Sequence, residues 1–247
     1  MHHFFISTEY IANGRVEIVG QLVHQFKNVL RFRVGDTVIV FDNTGMEYVV
    51  KLNSFLDNKI IGIVLDSYKN KNEPVVNIRI FQSLIRFDKF ELVLQKCTEL
   101  GVSAFVPIIS EKSTMYRSLN SVKKKYDRWN RIIIESTEQS QRGLLPSLYD
   151  PCNFKEACSF VNDFALIGSL NCNENIKDTL EIVPNSNVSV DIFIGPEYGF
   201  TVEEEFFAIK NGIRKLSLGP RILRAETAAI SAMAIVLYEL ENKDLDY

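Results

Sequence analysis

The chain has 247 residues, enough for one large domain or two smaller ones with a substantial core. A hydrophobic fraction of 46% and a charged fraction of 24% are those of a globular protein in water, and a net charge of -3 argues against a wholesale polyanion binder. The longest nearly apolar run, Ala228 to Tyr238, is too short to span a bilayer, and Met1-His2-His3-Phe4-Phe5 lacks the features of an export signal, so a cytoplasmic location away from membranes is expected.

The first seventy residues read mainly as short strands. His3 to Ile6, Arg15 to Val19, Thr37 to Phe41, Met46 to Leu52 and Lys59 to Leu65 are predicted, with Asp42-Asn43-Thr44-Gly45 as a hairpin turn. Between them, Leu22, Phe26, Val29 and Leu30 recur at helical spacing, which predicts a helix over Gln21 to Phe32. Short strands joined by tight turns point to a small barrel. Asn70-Lys71-Asn72-Glu73-Pro74 is a polar hinge, and the domain boundary is placed there, after residue 72.

Beyond the hinge, strands and helices alternate. Strands are expected at Val75 to Phe81, Ala104 to Ile109, Phe164 to Ile167, Val190 to Ile194 and Ile213 to Leu218. Helices are expected at Phe87 to Leu100, Ser121 to Gln139, Phe154 to Phe160, Thr201 to Lys210 and Ala225 to Leu240. Thr201 and Glu204 have capping-box spacing, and Gly101 stops the first of these helices. This order predicts an α/β fold, a mostly parallel sheet covered by helices. Charge is spread unevenly, with a local balance of +5 over residues 79–142 and -8 over residues 143–247, which permits a basic face on an acidic protein.

Cys97, Cys152, Cys158 and Cys172 form no CxxC pair or disulfide framework, and three histidines give no metal-ligand spacing. No metal site is expected. Dinucleotide and P-loop glycine motifs are missing, and no histidine lies beyond residue 24 to complete a Ser/His/Asp or Cys/His set. What remains is the carboxyl edge of the parallel sheet, where ligands bind in folds of this kind. Three strand ends carry glycine there: Ile167-Gly168-Ser169-Leu170, Ile194-Gly195-Pro196-Glu197-Tyr198-Gly199 and Leu218-Gly219-Pro220-Arg221. Converging on one crevice, they would offer backbone amides and carbonyls to a ligand, with Ile167, Leu218, Ile222 and Leu223 flanking a flat ring. Two arginines, a glutamate and a threonine at Arg221, Arg224, Glu226 and Thr227 either belong to that crevice or serve as an ordinary helix start, with Glu226 and Thr227 capping it.

These residues resemble a known family. Gly195-Pro196-Glu197 with Gly199-Phe200-Thr201 and Glu204, then Leu218-Gly219 and Arg221-Ile222-Leu223-Arg224 before Glu226-Thr227-Ala228, are similar to the bacterial RsmE family, 16S ribosomal RNA uracil-N3 methyltransferases of the SPOUT superfamily. The resemblance extends to Gln95 through Val102, Arg128-Trp129, Glu135, Glu138-Gln139-Ser140 and Arg142, and in the N-terminal part to His24, Val29-Leu30-Arg31, Arg33 and Gly35-Asp36. It departs at Tyr198, where the family usually has a second glycine.

The resemblance implies a PUA-like β-barrel over residues 1–72 that docks RNA. It implies a SPOUT domain over residues 73–247, with a trefoil knot and helices on both faces of its sheet, that binds S-adenosyl-L-methionine and forms a homodimer. The implied cofactor set is Ile167, Gly168, Ser169, Gly195, Pro196, Glu197, Gly199, Leu218, Gly219, Arg221, Ile222, Leu223, Arg224 and Thr227. Uracil N3 must lose a proton before it attacks a methyl group, so a proton acceptor and a cation near the carbonyl oxygens are needed. Arg224 is the first choice for the cation and Arg221 the second, with Glu226 or Glu197 as acceptor; helix capping and loop bracing remain the alternatives for the two carboxylates. Lys27, Arg31 and Arg33, with His24, are expected to meet RNA of the small ribosomal subunit, while Lys96, Gln139 and Arg142 line a groove for it. The rival readings are a noncatalytic ribosome-assembly factor and an enzyme of the same superfamily with another nucleoside target.

Overall fold

A computed structural model describes residues 2–113, 122–170, 176–183 and 188–242; Cys172 and the start of the expected Ser121 to Gln139 helix lie outside them. The chain divides into two compact units, Met1–Glu73 with Thr137–Leu145, and Pro74–Ser136 with Pro146–Tyr247.

In the first unit six strands form a curled mixed sheet, a half-barrel. Their spatial order is His3–Phe5, Thr37–Phe41, Met46–Phe55, Lys59–Lys69, Arg15–Val19 and Ile11–Ala12. The first pair is parallel and the others antiparallel. Val16, Ile18, Val38, Val40, Val50 and Leu52 alternate inward and pack with Phe26. The hairpin turn places Asn43 at φ 65° and Gly45 at φ 84°, and Asp42 accepts the Thr44 amide at 2.9 Å.

The expected helix over Gln21 to Phe32 is broken. An α-helical turn, Gln21–His24, passes into a π-helical one, Gln25–Val29, and the chain leaves at Arg31 with φ 56°. The wider turn keeps Val23 and Phe26 inward and rotates Val29 out to 64% exposure, so regular helical spacing misplaces it.

Segment Thr137–Leu145 is fastened to the first unit by polar contacts. Phe5 donates its amide to Glu138 at 3.0 Å, and the amides of Asn70 and Asn72 side chains reach the Gln141 carbonyl at 3.0 and 2.8 Å. Glu73 accepts the backbone amides of Gly143 and Leu144 at 2.8 and 2.9 Å and pairs with Arg142 at 2.8 Å.

The second unit is built on a seven-stranded parallel sheet. Its main path runs Cys152–Asn153, Ala104–Ile109, Asn77–Ser83, Ser189–Ile194, Phe164–Gly168 and Arg214–Leu216, and Ser147–Leu148 also pairs with Ala104–Ile109. Its two faces are both buried, as a parallel sheet requires. Ile78, Ile80, Leu166, Val190 and Ile192 point to one face, against helices Phe87–Glu99 and Ala225–Glu241. Phe81, Val106, Ile167 and Phe193 point to the other, against helices Phe154–Ala157 and Val202–Lys210. Phe81 and Phe193 stack at 4.3 Å between ring centres on adjacent strands.

Local signals end these elements where the sequence places them. Thr201 and Glu204 form the full capping box of helix Val202–Lys210. Gly101, at φ 103°, follows helix Phe87–Glu99, and a Cβ there would meet Pro74 Cγ at 2.3 Å. In helix Ala225–Glu241, which packs on Phe87–Glu99, the buried residues Ala225, Ala229, Ala232 and Met233 belong to the core that the two helices share. Small side chains let the two helices approach closely.

Candidate functional site

At the carboxyl edge of the parallel sheet three loops line a cavity that opens to solvent. The first loop contributes Gly168, Ser169 and Leu170, and the second Ile194, Gly195, Pro196, Glu197 and Gly199. The last strand and its exit contribute Leu216, Leu218, Gly219, Pro220, Arg221, Ile222 and Leu223, and the following helix adds Ala225 and Ala228.

Each loop is held by contacts that explain its residues. Ser169 donates its amide to the Leu216 carbonyl at 3.1 Å and its hydroxyl to Glu205 at 2.9 Å, while Lys215 pairs with the same carboxylate at 3.0 Å. Loop Ile194–Phe200 doubles back on itself: Gly199 donates to the Pro196 carbonyl at 2.9 Å, and Lys112 donates to the carbonyls of Tyr198 and Phe200, both at 3.1 Å. A Cβ on Gly195 would stand 3.0 Å from Gly199 Cα, so any other residue would push that closure apart by a few tenths of an ångström. Positive φ falls on Gly199, at 65°, and on Gly219, at 95°. Tyr198 carries no positive φ and is 75% exposed, so its departure from the family pattern leaves the backbone unstrained.

A second cavity adjoins the first and shares Glu197, Ile222 and Leu223 with it. Its other lining residues are Arg86, Lys89, Arg224 and Glu226. Glu226 is 8% exposed, and its carboxylate lies 3.3 Å from the Lys89 ammonium. Arg224, not Glu226 or Thr227, holds the N-cap position of helix Ala225–Glu241, and its side chain makes no capping bond. Glu226 lies in the first turn of that helix, where a negative charge favours the helix N-terminus, so the helix-start alternative stands beside the cavity one. Glu197 is exposed and has no partner among the described residues, which removes loop bracing as its reason.

Of the fourteen candidate cofactor residues the first cavity gathers eleven: Gly168, Ser169, Gly195, Pro196, Glu197, Gly199, Leu218, Gly219, Arg221, Ile222 and Leu223. Ile167 is fully buried in the core behind it, Arg224 faces the second cavity, and Thr227 is exposed on the helix away from both. Among the candidate RNA contacts, His24, Arg31, Arg33 and Gln139 are exposed. Lys27 donates to the Leu56 and Asp57 carbonyls at 2.6 and 3.2 Å, and Lys96 pairs with Glu99 at 2.8 Å. Arg142 is 4% exposed and bound to Glu73, an anchor of its own segment and not a surface cation, because its guanidinium is consumed inside the unit.

Sequence reasoning overlooked Arg86, Lys89, Leu216, Ala225 and Ala228 as lining residues. Helical spacing would have brought in Ala228, one turn beyond Ala225. Lys89 had no such signal, since only the packing of two helices brings it to Glu226. Thiol chemistry is not prepared here: burial pushes the Cys152 thiol up to about 11 and the Cys158 thiol up to about 12, and Cys97 higher still. Among the described residues no group of His, Cys, Asp and Glu is arranged to hold a metal ion, and no helix is long and apolar enough to cross a membrane.

A family model described as "RNA methyltransferase domain" matches residues 71–237. The chain is 32% identical over 235 residues to the ribosomal RNA small subunit methyltransferase E of Bacillus subtilis strain 168, covering 91% of this chain and 90% of that protein. It is 30% identical over 244 residues to the protein of the same name from Synechocystis sp., covering 98% of this chain and 78% of that one. Among solved structures, a ribosomal RNA small subunit methyltransferase E from Neisseria gonorrhoeae bound to S-adenosyl methionine superposes with a TM-score of 0.86 at 29% identity, covering 96% of this chain and 97% of that chain.

Proposed function

Because the chain belongs to the ribosomal RNA small subunit methyltransferase E family, we propose that it methylates N3 of a specific uridine in 16S ribosomal RNA, using S-adenosylmethionine. One observation carries this reading. The glycine-bearing ends of three parallel strands wall a cavity that adjoins a second, charged one. The first cavity suits the cofactor: Leu170, Leu218 and Ile222 flank space for a flat ring, the closed loop from Gly195 to Gly199 offers backbone, and Glu197 offers a negative charge without a partner.

When bound, S-adenosylmethionine supplies an electrophilic methyl group on a positively charged sulfur. The chain's own residues do the rest. Glu226 or Glu197 takes the N3 proton of uracil, directly or through one water. Arg224, with Arg221 behind it, faces the carbonyl oxygens on which negative charge grows as that proton leaves. The nitrogen–carbon bond then forms as the carbon–sulfur bond breaks, and the carboxylic acid later gives its proton to solvent. A base inside folded RNA must be extruded to reach such a site.

The remaining parts of the reading have their own support. The half-barrel of the first unit, with Arg31, Arg33 and His24 exposed, is a PUA-like RNA-docking domain of residues 1–72, and the expected methyltransferase domain of residues 73–247 is the second unit, less Glu73 and Thr137–Leu145, which group with the first. A trefoil knot fits the route by which the chain passes from strand Arg214–Leu216 at the sheet edge to helix Ala225–Glu241 over its centre. A homodimer fits the exposed apolar side chains Tyr198, Val202, Phe206 and Ile209, at 75%, 75%, 59% and 46%. The cytoplasm, where the RNA substrate is made, is the place of action.

The test incubates the protein with methyl-labelled S-adenosylmethionine and unmethylated small ribosomal subunits, then identifies the labelled nucleoside by mass spectrometry. The expected product is 3-methyluridine. No transfer would favour a noncatalytic assembly factor, and label in another nucleoside would move the target.

A further inference from the structure

The second cavity has a chemistry the first lacks. Its wall combines three cations, Arg86, Lys89 and Arg224, with two carboxylates, Glu197 and Glu226. A carboxylate that is 8% exposed is costly without a partner, and Lys89 supplies one at 3.3 Å. Lys89 lies on helix Phe87–Glu99 and Glu226 on helix Ala225–Glu241, and these helices pack on each other over the sheet. The pair is therefore fixed by two rigid elements, beside the cavity that the shared residues Glu197, Ile222 and Leu223 join to the cofactor site.

Hydrogen-bonding character decides what such a wall can read. The N3 edge of uracil presents a carbonyl oxygen, an N–H and a second carbonyl oxygen: acceptor, donor, acceptor. The Glu226 carboxylate, paired with Lys89 on a wall that Arg224 also lines, supplies the groups for the complement: donors for the two carbonyl oxygens and an acceptor for the N–H. Cytosine presents a bare N3 lone pair to the carboxylate, which repels it, and a site built to pair with one edge rejects the other strongly.

Resting on the proposed uracil-N3 activity, we propose that the second cavity is the base pocket and that Lys89 is a specificity-determining residue of it. Lys89 holds Glu226 in place and donates to a carbonyl oxygen of the extruded uracil, opposite the arginine Arg224. When Glu226 takes the N3 proton it loses its charge, so the Lys89 ammonium turns from the carboxylic acid to the oxygen on which charge has grown. Arg86, at the N-cap of the same helix, also lines the cavity and pairs with Asp88 at 3.1 Å.

The competing account is that Lys89 only fastens one helix to the other. Steady-state methyl transfer to unmethylated small subunits separates the two for Lys89→Met and Lys89→Arg, with calorimetry of S-adenosylmethionine binding as the control for folding. Lys89→Met is expected to bind the cofactor within about twofold of the unsubstituted protein and to lose about 100-fold in kcat, with KM for subunits changed less than about threefold. Lys89→Arg is expected to recover at least a tenth of kcat, because a cation is restored. Should Lys89→Met not fold, Lys89→Gln, which keeps a donor for Glu226, carries the same expectation of lost kcat. Full kcat in Lys89→Met, a kcat loss matched by an equal loss of cofactor affinity, or no recovery in Lys89→Arg overturns the proposal. Failure of the underlying reading looks different: the unsubstituted protein would bind no S-adenosylmethionine or form no 3-methyluridine.

Discussion

Gly195 shows how a single missing atom can build a site. A Cβ there would lie 3.0 Å from Gly199 Cα and 3.1 Å from both Gly199 C and Phe200 N, all of them backbone atoms that Lys112 and the capping box of Thr201 hold in place. The loop cannot yield without opening the wall of the cofactor cavity. Gly195→Ala is expected to weaken S-adenosylmethionine binding at least about tenfold by calorimetry, the cost of misplacing a preorganised wall by a few tenths of an ångström. Unchanged affinity would mean that the loop is not part of that wall. The glycine was legible in the sequence as part of a Gly-Pro-Glu turn, but its reason was not. Close approach of residue 195 to residue 199 is a property of the folded loop, and the same is true of Tyr198, whose harmless conformation no pattern could announce.

At the scale of elements, one buried carboxylate ties three strands' worth of backbone. Asp191 is fully buried in the middle of strand Ser189–Ile194, directly opposite Arg79 on the neighbouring strand. It accepts from Arg79 Nε and Nη2, both at 2.7 Å, and from the Asn162 amide at 2.6 Å, just before strand Phe164–Gly168. Removing one partner of a buried pair leaves the other charged and costs about 3–5 kcal/mol. Asp191→Ala should lose stability on that scale in urea denaturation; a loss below about 1 kcal/mol would show that water can replace the carboxylate. Strands such as this one were legible because a mostly apolar run, here interrupted only by Asp191, lies between turn signals. Ile11–Ala12, Ser147–Leu148 and Cys152–Asn153 are two-residue strands with no period to detect, and the π-helical turn Gln25–Val29 breaks the period that a helix prediction relies on.

At the scale of the whole chain, sequence order and spatial grouping part company. Thr137–Leu145 joins the first unit although more than sixty residues separate it from Glu73, its main partner in that unit. Such a link is non-local, made by Asn43, Asn70, Asn72 and Glu73, and each of these reads on its own as an ordinary loop residue. Arg142, taken for a surface cation, is spent on it. Under the proposed function the exposed cations of the first unit would meet RNA, and Arg31 tests this division of labour. It is exposed at φ 56°, a conformation that glutamate would share, so Arg31→Glu changes charge without adding a new backbone demand. Each lysine or arginine on a phosphate contributes about 0.7–0.9 to the slope of log affinity against log salt. Arg31→Glu is therefore expected to weaken RNA association about tenfold at low salt in a filter-binding titration, and to lower that slope by about one. Its affinity for S-adenosylmethionine should not move, because the cofactor cavity is built wholly from the second unit. An unchanged RNA affinity at every salt concentration would take Arg31 out of the RNA surface; a parallel loss of cofactor affinity would show that the two units do not divide the work as argued.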